Sequence, residues 1–272
     1  MLLELTVLIV ASKRDVAAQN IAQELARLKG FQPVAGASVD LFQAGDTYLK
    51  LVETDGIFTE NLGVNIRPDA VIFASRHRSE SGEPALTAHW TGNCTARSDF
   101  GGTPNSLSFA DPPRLRAALL ALDEAREAMK LNYVVTLEAT HHGPTGLGVP
   151  TLFIELGSTE KEWADRHAAV AVSEAVWKAA TAPVSGKTAV GFGGGHYCNK
   201  QCTATRNDGY AFGHILSKYF FEDYDEKIVR MAFERTLGGC RTAVVDWKGV
   251  RGAQRSKLLE TLKRMNIEIV RV

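Results

Sequence analysis

Histidines concentrate in a few polar segments of this chain, and two of them are adjacent. Five of the seven are His77, His89, His141, His142 and His196. Imidazoles beside a carboxylate, such as His141 and His142 after Glu138, ligate a metal or act as a base with an orienting partner. The alternative for this pair is that one ring caps a turn and the other is solvated. The crowding of imidazoles predicts hydrolytic or metal chemistry, without naming a substrate.

A carboxylate and a glycine run add to this pattern. Glu155 lies in the apolar segment 151–156, where it either faces a crevice, is paired, or reaches water at a strand end. Gly193, Gly194 and Gly195 directly precede His196, and consecutive glycines let backbone N–H groups approach an anion or an oxyanion. The order G-F-G-G-G-H is not the dinucleotide-binding G-x-G-x-x-G, and the chain has no P-loop motif.

Two further features have competing interpretations. Cys198 and Cys202 stand near His196 at a spacing that suits zinc, but a single Cys-x-x-x-Cys pair is also typical of small core residues. Between residues 246 and 272, seven basic residues face three acidic ones. Helical spacing places Arg251 and Arg255 on one side, so this segment is either a solvated helix face or a contact for phosphates.

The elements that position these residues alternate between strands and helices. Strands are predicted at 3–10, 69–74, 133–137, 151–156, 187–192, 242–245 and 267–272. Helices are predicted from a capping box at Ser12 and Asp15 to Gly30, and then over 111–130, 159–176, 224–237 and 254–265. Alternation of this kind predicts an α/β fold with a mostly parallel sheet. Three of the strands end directly before histidine-bearing segments, and ligands bind at the carboxyl ends of such strands.

One segment interrupts the alternation. Residues 75–111 are rich in Gly, Pro, Ser and Asn, and a loop of that length is usually functional or contains a hairpin. Ala85–Trp90 is a candidate strand of that hairpin. We therefore expect a single α/β domain over residues 1–272 with a long functional insert at about 75–111.

Composition limits the classes of protein that fit. The chain has 272 residues, 45% of them hydrophobic and 23% charged, which is ordinary for a globular protein and excludes disorder as the main theme. Lys+Arg and Asp+Glu are both 31, so the formal net charge is zero and electrostatic binding of nucleic acid over the whole surface is not expected. No stretch has the length and apolarity of a membrane span, and no signal peptide is evident, so a cytoplasmic protein with reduced cysteines is expected.

Several sequence blocks, taken together, resemble one protein family. The blocks are Ser75–Gly82 (SRHRSESG), Leu86–Asn93 (LTAHWTGN), Glu138–Thr145 (EATHHGPT), Phe153–Ser158 (FIELGS) and Gly193–Tyr197 (GGGHY). In this order they resemble the archaeal and plant type of D-aminoacyl-tRNA deacylase. The likeness runs from the first strand to about Tyr197 and is looser afterwards, where Cys198 and Cys202 depart from the family pattern.

The resemblance implies hydrolysis of the ester that joins a D-amino acid to tRNA, with broad tolerance of the side chain. It also implies zinc and a three-layer αβα fold with a mostly parallel, mixed sheet, similar to peptidyl-tRNA hydrolases and nucleoside phosphorylases. The expected partner is the acceptor end of D-aminoacyl-tRNA, with no membrane or DNA partner, and the expected state is a monomer. Basic residues near the crevice would hold phosphates, so tRNA affinity is expected to fall steeply with salt.

The candidate site follows from these residues and the resemblance. The catalytic candidates are His77, Glu80, His89, Glu138, His141, His142, Glu155 and His196. The candidate metal ligands among them are His141, His142 and His196. The substrate-binding candidates are Thr91, Asn93, Gly193, Gly194, Gly195, Tyr197, Arg251 and Arg255. Which histidine acts as the base is left open.

Two other functional classes compete with a deacylase. One is a zinc amidohydrolase or a nucleoside phosphorylase-like enzyme that acts on a small molecule. The other is a non-catalytic RNA-binding module, which the basic C-terminal helix favours and which the neutral net charge disfavours.

Overall fold

The computed structural model describes residues 5–36 and 39–272. Its strands are β1 (Val7–Ser12), β2 (Gln32–Pro33), β3 (Leu41–Ala44), β4 (Thr47–Val52), β5 (Ala70–Arg78), β6 (Ala85–Trp90), β7 (Gly92–Asn93), β8 (Ser106–Leu107), β9 (Val134–Leu137), β10 (Thr151–Ser158), β11 (Lys187–Phe192), β12 (Tyr210–Leu216), β13 (Thr242–Val245) and β14 (Glu268–Arg271). Its helices are α1 (Val16–Lys29), α2 (Pro112–Ala128), α3 (Glu160–Trp163), α4 (Arg166–Thr181), α5 (Asn199–Asp208), α6 (Glu226–Glu234) and α7 (Gly252–Arg264).

The strands form two main sheets rather than one. The larger sheet has the order β2-β3-β4-β1-β5-β10-β6-β9, and the smaller has the order β12-β11-β13-β14. The smaller sheet is parallel throughout, whereas in the larger sheet β6 runs antiparallel to β10. The α/β class with a mixed, mostly parallel sheet is thereby confirmed, and its division into two sheets was not expected.

Alternating side chains along the strands divide the core into layers. In the larger sheet, Ile9 and Ile72 face α1 and α4, whereas Leu8 and Phe73 face the opposite side. Within the described ranges, that opposite side is covered by irregular segments and a short 3₁₀ turn at Gly56–Phe58 instead of a helical layer. The three-layer expectation is met by the smaller sheet, whose faces pack on α6 and α7 and on α2 and α5.

The ends of the predicted elements shift for local reasons. The first strand is β1, so its predicted start at residues 3 and 4 lies outside the described residues. Asp15, not Ser12, caps α1 by accepting the N–H of Ala18, and Gly30 ends the helix with a positive φ of 68°. Thr159 and Glu162 form the expected capping box, but it opens the single turn α3, because Asp165 caps a separate helix α4. The helix expected over 224–237 is the shorter α6.

The segment 75–111 is less irregular than its composition predicts. Ala85–Trp90 does form a strand, β6, but it lies inside the larger sheet between β10 and β9 and does not pair within a hairpin. β7 and β8 form a separate two-stranded ribbon. The strand β5 also continues through Arg78, so His77 stands on a strand and not in a loop after it. Within the described residues, no helix is long and apolar enough to cross a membrane.

Candidate active site

The candidate site lies where the two sheets meet. β5 and β10 carry His77 and Glu155, and β6 carries His89. The segment after β9 supplies Glu138, and an isolated bridge joins Glu138 to Tyr197, which follows β11 of the smaller sheet. The bridge fixes the segment after β9 against the glycine loop after β11.

Glu138 is the centre of one group of side chains. Its carboxylate is fully buried, with Oε1 2.9 Å from Nδ1 of His77 and Oε2 2.9 Å from Nε2 of His196. His141 Nε2 lies 3.5 Å from the same Oε2. Despite these distances neither carboxylate oxygen has an aligned hydrogen bond, so the ring N–H directions do not satisfy it. On its far side, the Nε2 atom of His77 lies 2.9 Å from the Tyr197 hydroxyl.

Glu155 is the centre of a second group. Its Oε2 lies 3.5 Å from Nδ1 of His77 and 3.8 Å from Nε2 of His89. The Thr87 hydroxyl donates a hydrogen bond to the same oxygen at 3.3 Å. Nε2 of His89 is buried and has no hydrogen-bond partner. This orphaned nitrogen therefore faces a carboxylate that is too far away to bond it directly.

Backbone carbonyls fix three imidazoles in one tautomer. Nδ1 of His141 lies 2.8 Å from the carbonyl of Ala139, and Nδ1 of His142 lies 2.7 Å from that of Gly143. Nδ1 of His89 is 3.2 Å from the carbonyl of Trp90. Because a carbonyl only accepts, each Nδ1 carries a proton and each Nε2 atom is left to face the cluster; where the ring is neutral, that Nε2 atom presents a lone pair.

The pKa values divide the site into two electrostatic regions. Burial lowers the pKa of His77, but the carboxylates of Glu138 and Glu155 outweigh it and raise that pKa to about 11. Burial also opposes ionisation of Glu138, yet His196 and His77 hold its pKa well below the usual range. In contrast, burial and the neighbouring His89 lower the pKa of His142 to about 4 and that of His141 well below its ordinary value.

The donor set fits a metal ion such as zinc. One ligand atom from each of His89, His141 and His142 lies within 4.8 Å of the others, and the same holds for His77, Glu138 and His196. Imidazole nitrogens and carboxylate oxygens are zinc ligands, and rings anchored at Nδ1 by carbonyls are typical of metal sites. Burial lowers the pKa of His89 while Glu155 raises it above the usual value, so Glu155 stabilises positive charge at Nε2. The orphaned atoms of His89 and Glu138 are consistent with a cation partner.

A buried histidine outside the cluster supports the segment that carries it. His214 on β12 is fully buried, and its Nε2 donates to the carbonyl of Ser108 at 2.9 Å. The Thr140 hydroxyl donates to Nδ1 of His214 at 3.1 Å, because the neutral ring carries its proton on Nε2, and the same hydroxyl accepts the N–H of Ile215 at 3.1 Å. Thr140 directly precedes His141, so these bonds hold the histidine segment on the smaller sheet.

The structure brings the predicted catalytic residues together, with Glu80 as the exception. The converging residues are His77, His89, Glu138, His141, His142, Glu155, His196 and Tyr197. Glu80 lies exposed in a turn after β5, and no polar contact joins it to the cluster in the described part of the chain. Its side chain is therefore outside the arrangement that the sequence blocks suggested.

Other predicted residues hold the scaffold or line nearby cavities. The Thr91 hydroxyl donates to the carbonyl of Pro144 at 2.6 Å, and Asn93 donates to the carbonyl of Gly101 at 2.8 Å. The Arg255 guanidinium donates to the backbone carbonyl of Trp247 and stacks on the indole ring of the same residue, so it already has partners within the protein. Arg251 is exposed and lines a separate cavity together with Gly194 and Gly195.

The two cysteines belong to the core and not to the cluster. Cys198 and Cys202 are buried, and Sγ of Cys202 accepts the N–H of Leu137 at 3.0 Å. Burial raises the pKa of both thiols, so they stay protonated near neutral pH. This arrangement agrees with the interpretation of the pair as small core residues.

A cavity opens beside the histidines. It has a volume of about 470 Å³, and its walls include His141, His142, Asn93, Phe100 and Tyr219. Phe100 and Tyr219 are 66% and 55% exposed as residues, so aromatic side chains in contact with solvent line this cavity. Tyr219 was not among the sequence candidates, because β12 and the 3₁₀ turn Lys218–Asp223 after it were not predicted.

Comparison with known proteins shows which family the chain resembles. A family model described as D-aminoacyl-tRNA deacylase matches residues 64–270. The chain is 34% identical to the D-aminoacyl-tRNA deacylase of Methanosarcina acetivorans, covering 97% of this chain and 91% of that protein. It is 35% identical to the D-aminoacyl-tRNA deacylase of Thermococcus onnurineus, covering 97% of this chain and 98% of that protein.

A solved structure shares the whole fold. It is the crystal structure of a conserved protein of unknown function, with a TM-score of 0.87 and 32% sequence identity, covering 98% of this chain and 95% of the other. The family match spans most of the chain and includes every block that converges on the histidine cluster. The chain therefore belongs to the D-aminoacyl-tRNA deacylase family.

Proposed function

We propose that this chain hydrolyses the ester bond of D-aminoacyl-tRNA, releasing a D-amino acid and free tRNA. Family membership supports the reaction, and one observation supports the site: Glu138 is buried between His77 and His196, beside the trio His89, His141 and His142. Ester hydrolysis needs an activated water and a group that stabilises the developing oxyanion, and this cluster contains residue types that supply both.

We further propose that zinc is the cofactor, held by His89, His141 and His142, with the Glu155 carboxylate 3.8 Å from Nε2 of His89. The depressed pKa values of His141 and His142 support this choice, because both rings stay neutral near pH 7 and neutral imidazole is the ligand form. When bound, zinc would polarise the ester carbonyl and lower the pKa of water. His196 drops out of the metal set in this proposal, because its ring pairs with Glu138 instead.

The protein's own groups would then handle the proton. His196 is the most exposed imidazole of the cluster, with 47% of its side chain accessible, and Glu138 lies against its Nε2. A buried carboxylate that orients an exposed imidazole is the arrangement of a general base. We assign His196 to accept the proton of the attacking water and to return it to the ribose oxygen, while Glu138 stabilises the charged ring.

The cavity beside the histidines would receive the ester and the terminal adenosine. Asn93 stands on its wall with its amide tied to Gly101, and the half-exposed ring of Tyr219 offers a surface for stacking. Stacking of bases on aromatic rings is independent of sequence, which suits an enzyme that acts on many tRNAs. We also propose that the enzyme works as a monomer in the cytoplasm.

The test compares D-tyrosyl-tRNA with L-tyrosyl-tRNA, with and without a chelator. We expect rapid loss of the D-ester only, suppressed when metal is removed and restored by zinc. D-selective hydrolysis that persists after the metal is shown to have left would keep the function and refute the zinc proposal. Absence of hydrolysis of either ester by the zinc-loaded protein would refute the deacylase proposal.

A further inference from the structure

A second cavity, lined by basic residues, lies beside the glycine loop. It has a volume of about 400 Å³, and Lys218, Lys248 and Arg251 line it. All three residues are exposed to solvent. Within the described residues, Lys248 and Arg251 form no ion pair. Glu222 is the acidic residue in its wall, and the Asp246 carboxylate lies behind Gly194 and Gly249, so three cations against two carboxylates leave an excess of one positive charge. Free cations in a concave site favour a multiply charged anion.

Bare backbone forms the base of this cavity. Gly194 and Gly195 line it, and a Cβ atom built on Gly195 would meet no atom within 4 Å. Gly249 lies directly against the loop, because a Cβ on it would stand 2.5 Å from the nitrogen of Gly194. Asp246 holds this turn by accepting the N–H of Gly249 at 3.0 Å. Backbone that is open on one side and fixed on the other allows a phosphate to approach closely.

The basic cavity is connected to the histidine cavity through one residue. Tyr219 lines both, and the N–H of Lys218 donates to the carbonyl of Gly194 at 2.9 Å, which fixes the position of the segment between them. Nζ of Lys218 stands 5.1 Å from the centre of the Tyr219 ring. A bound strand therefore meets cations first, then an exposed aromatic ring, then imidazoles.

We propose that the basic cavity binds the phosphodiester groups next to the 3′-terminal adenosine of tRNA, while the ester lies at the histidines. The assignment rests on the proposed function. In it, Gly194 and Gly195 contact a phosphate group and do not stabilise the oxyanion of the ester. Cations on the sugar–phosphate backbone fix register without reading sequence, which suits a substrate with a common 3′ end. A free phosphate ion shares this chemistry, so the test must separate it from the polymer.

The test uses the double variant Lys248→Ala/Arg251→Ala with two substrates, D-tyrosyl-tRNA and D-tyrosyl-adenosine, which has no phosphate. The measured quantity is the ratio of kcat/KM for the tRNA to kcat/KM for the adenosine ester. We expect this ratio to fall about tenfold or more through KM on tRNA, with a shallower dependence on salt. Lys263→Ala, an exposed change near the end of helix α7, which begins directly after Arg251, should keep the wild-type ratio.

An unchanged ratio in the double variant would overturn the assignment while the deacylase function stands. If the wild-type protein hydrolyses neither ester, binding of uncharged tRNA decides the question separately. Weaker binding by the double variant than by Lys263→Ala would support the cavity, and equal binding would refute it. Binding of uncharged tRNA should raise the melting temperature of the wild-type protein. Inorganic phosphate at millimolar concentration should not cause the same rise. An equal rise with phosphate would identify the cavity as a site for the free ion.

Discussion

Oε2 of Glu138 lies 2.9 Å from Nε2 of His196, although the two residues follow strands of different sheets. A short segment after β9 and the glycine loop after β11 carry the pair, and the bridge between Glu138 and Tyr197 joins those segments. A buried carboxylate held at this distance orients a partly exposed imidazole. The relationship also makes the chemistry depend on how the two sheets pack.

Replacing the central carboxylate should remove activity without removing the fold. Glu138→Gln keeps the shape of the side chain but loses the charge that faces His77 and His196. We expect kcat/KM for D-tyrosyl-tRNA to fall by about 100-fold or more, in line with the loss of a general base or its partner. The measurement is single-turnover deacylation, and Glu124→Gln on the exposed side of α2 is the matched control. Wild-type kinetics in Glu138→Gln would remove this carboxylate from the mechanism.

Glu80 distinguishes the sequence interpretation from the structural one. The sequence blocks place it among the catalytic candidates, whereas the structure places it in an exposed turn. We expect Glu80→Gln to deacylate the D-ester at a rate within about twofold of the wild type, as for most surface changes. A loss as large as that of Glu138→Gln would show that the turn closes over the substrate.

Metal content should depend on the histidine trio. His142→Ala removes one neutral imidazole from the set of His89, His141 and His142, and loss of a ligand lowers metal affinity. We expect the purified variant to hold less than about half of the zinc found in the wild type, measured by elemental analysis after dialysis. His167→Ala, at an exposed position near the start of α4, should keep the full amount. Equal zinc in both variants would contradict the proposed ligand set.

The support for the histidine segment can be tested at one hydroxyl. Thr140→Val leaves the buried N–H of Ile215 and Nδ1 of His214 without their partner. Each unsatisfied buried polar group costs about 1–3 kcal/mol, so the free energy of unfolding should fall by at least about 2 kcal/mol. Deacylation should fall as well, because His141 is the next residue. Thr140→Ser keeps the hydroxyl and should recover both properties; a stable, active Thr140→Val protein would refute the support role.

Stability should depend on pH through His214. Burial lowers its pKa to about 4, against 6.5 for an ordinary histidine. Between these values the unfolded chain binds a proton that the folded chain does not, so stability falls as the pH drops from 6.5 towards 4. This histidine should contribute about 2 kcal/mol less at pH 5 than at pH 7.

Urea unfolding of the wild type and His214→Gln at the two pH values isolates that contribution. The stability advantage of the wild type over the variant should shrink by about 2 kcal/mol on going from pH 7 to pH 5. An advantage of equal size at both pH values would show that His214 is not buried in its neutral form.

A glycine on β10 sets how closely the strand that bears His77 can approach. Gly157 pairs with His77, and a Cβ atom on it would stand 2.2 Å from the carbonyl oxygen of His77. We expect Gly157→Ala to lower the melting temperature and to displace the His77 ring from Glu138 and Glu155, with loss of deacylation. Gly252→Ala, where a Cβ would meet nothing within 4 Å, serves as the stability control. An unchanged melting temperature for Gly157→Ala would contradict the tight strand contact.

The sequence predicted the reactive side chains of the site better than the residues that hold them in place. Glu138, His141 and His142 lie within five consecutive residues, so their proximity follows from the segment itself. Glu155 was recognised because a carboxylate in an apolar strand needs a partner. His214 could not be assigned, since its partners Thr140 and Ser108 come from distant segments and β12 has too little periodicity to predict. The division into two sheets was equally out of reach, because strand order depends on packing and not on local pattern.

The Glu138–Tyr197 bridge has a consequence for synthesis of the protein. A chain that has emerged only through β10 has Glu138, His77 and Glu155 but lacks the glycine loop, and β12 must follow before Thr140 is held. Because contacts between distant segments form late, the nascent chain passes most of its length on the ribosome without a complete site. Deacylase activity would thus appear as a single event near the end of translation, and a truncated product would be inert towards the charged tRNAs that surround it.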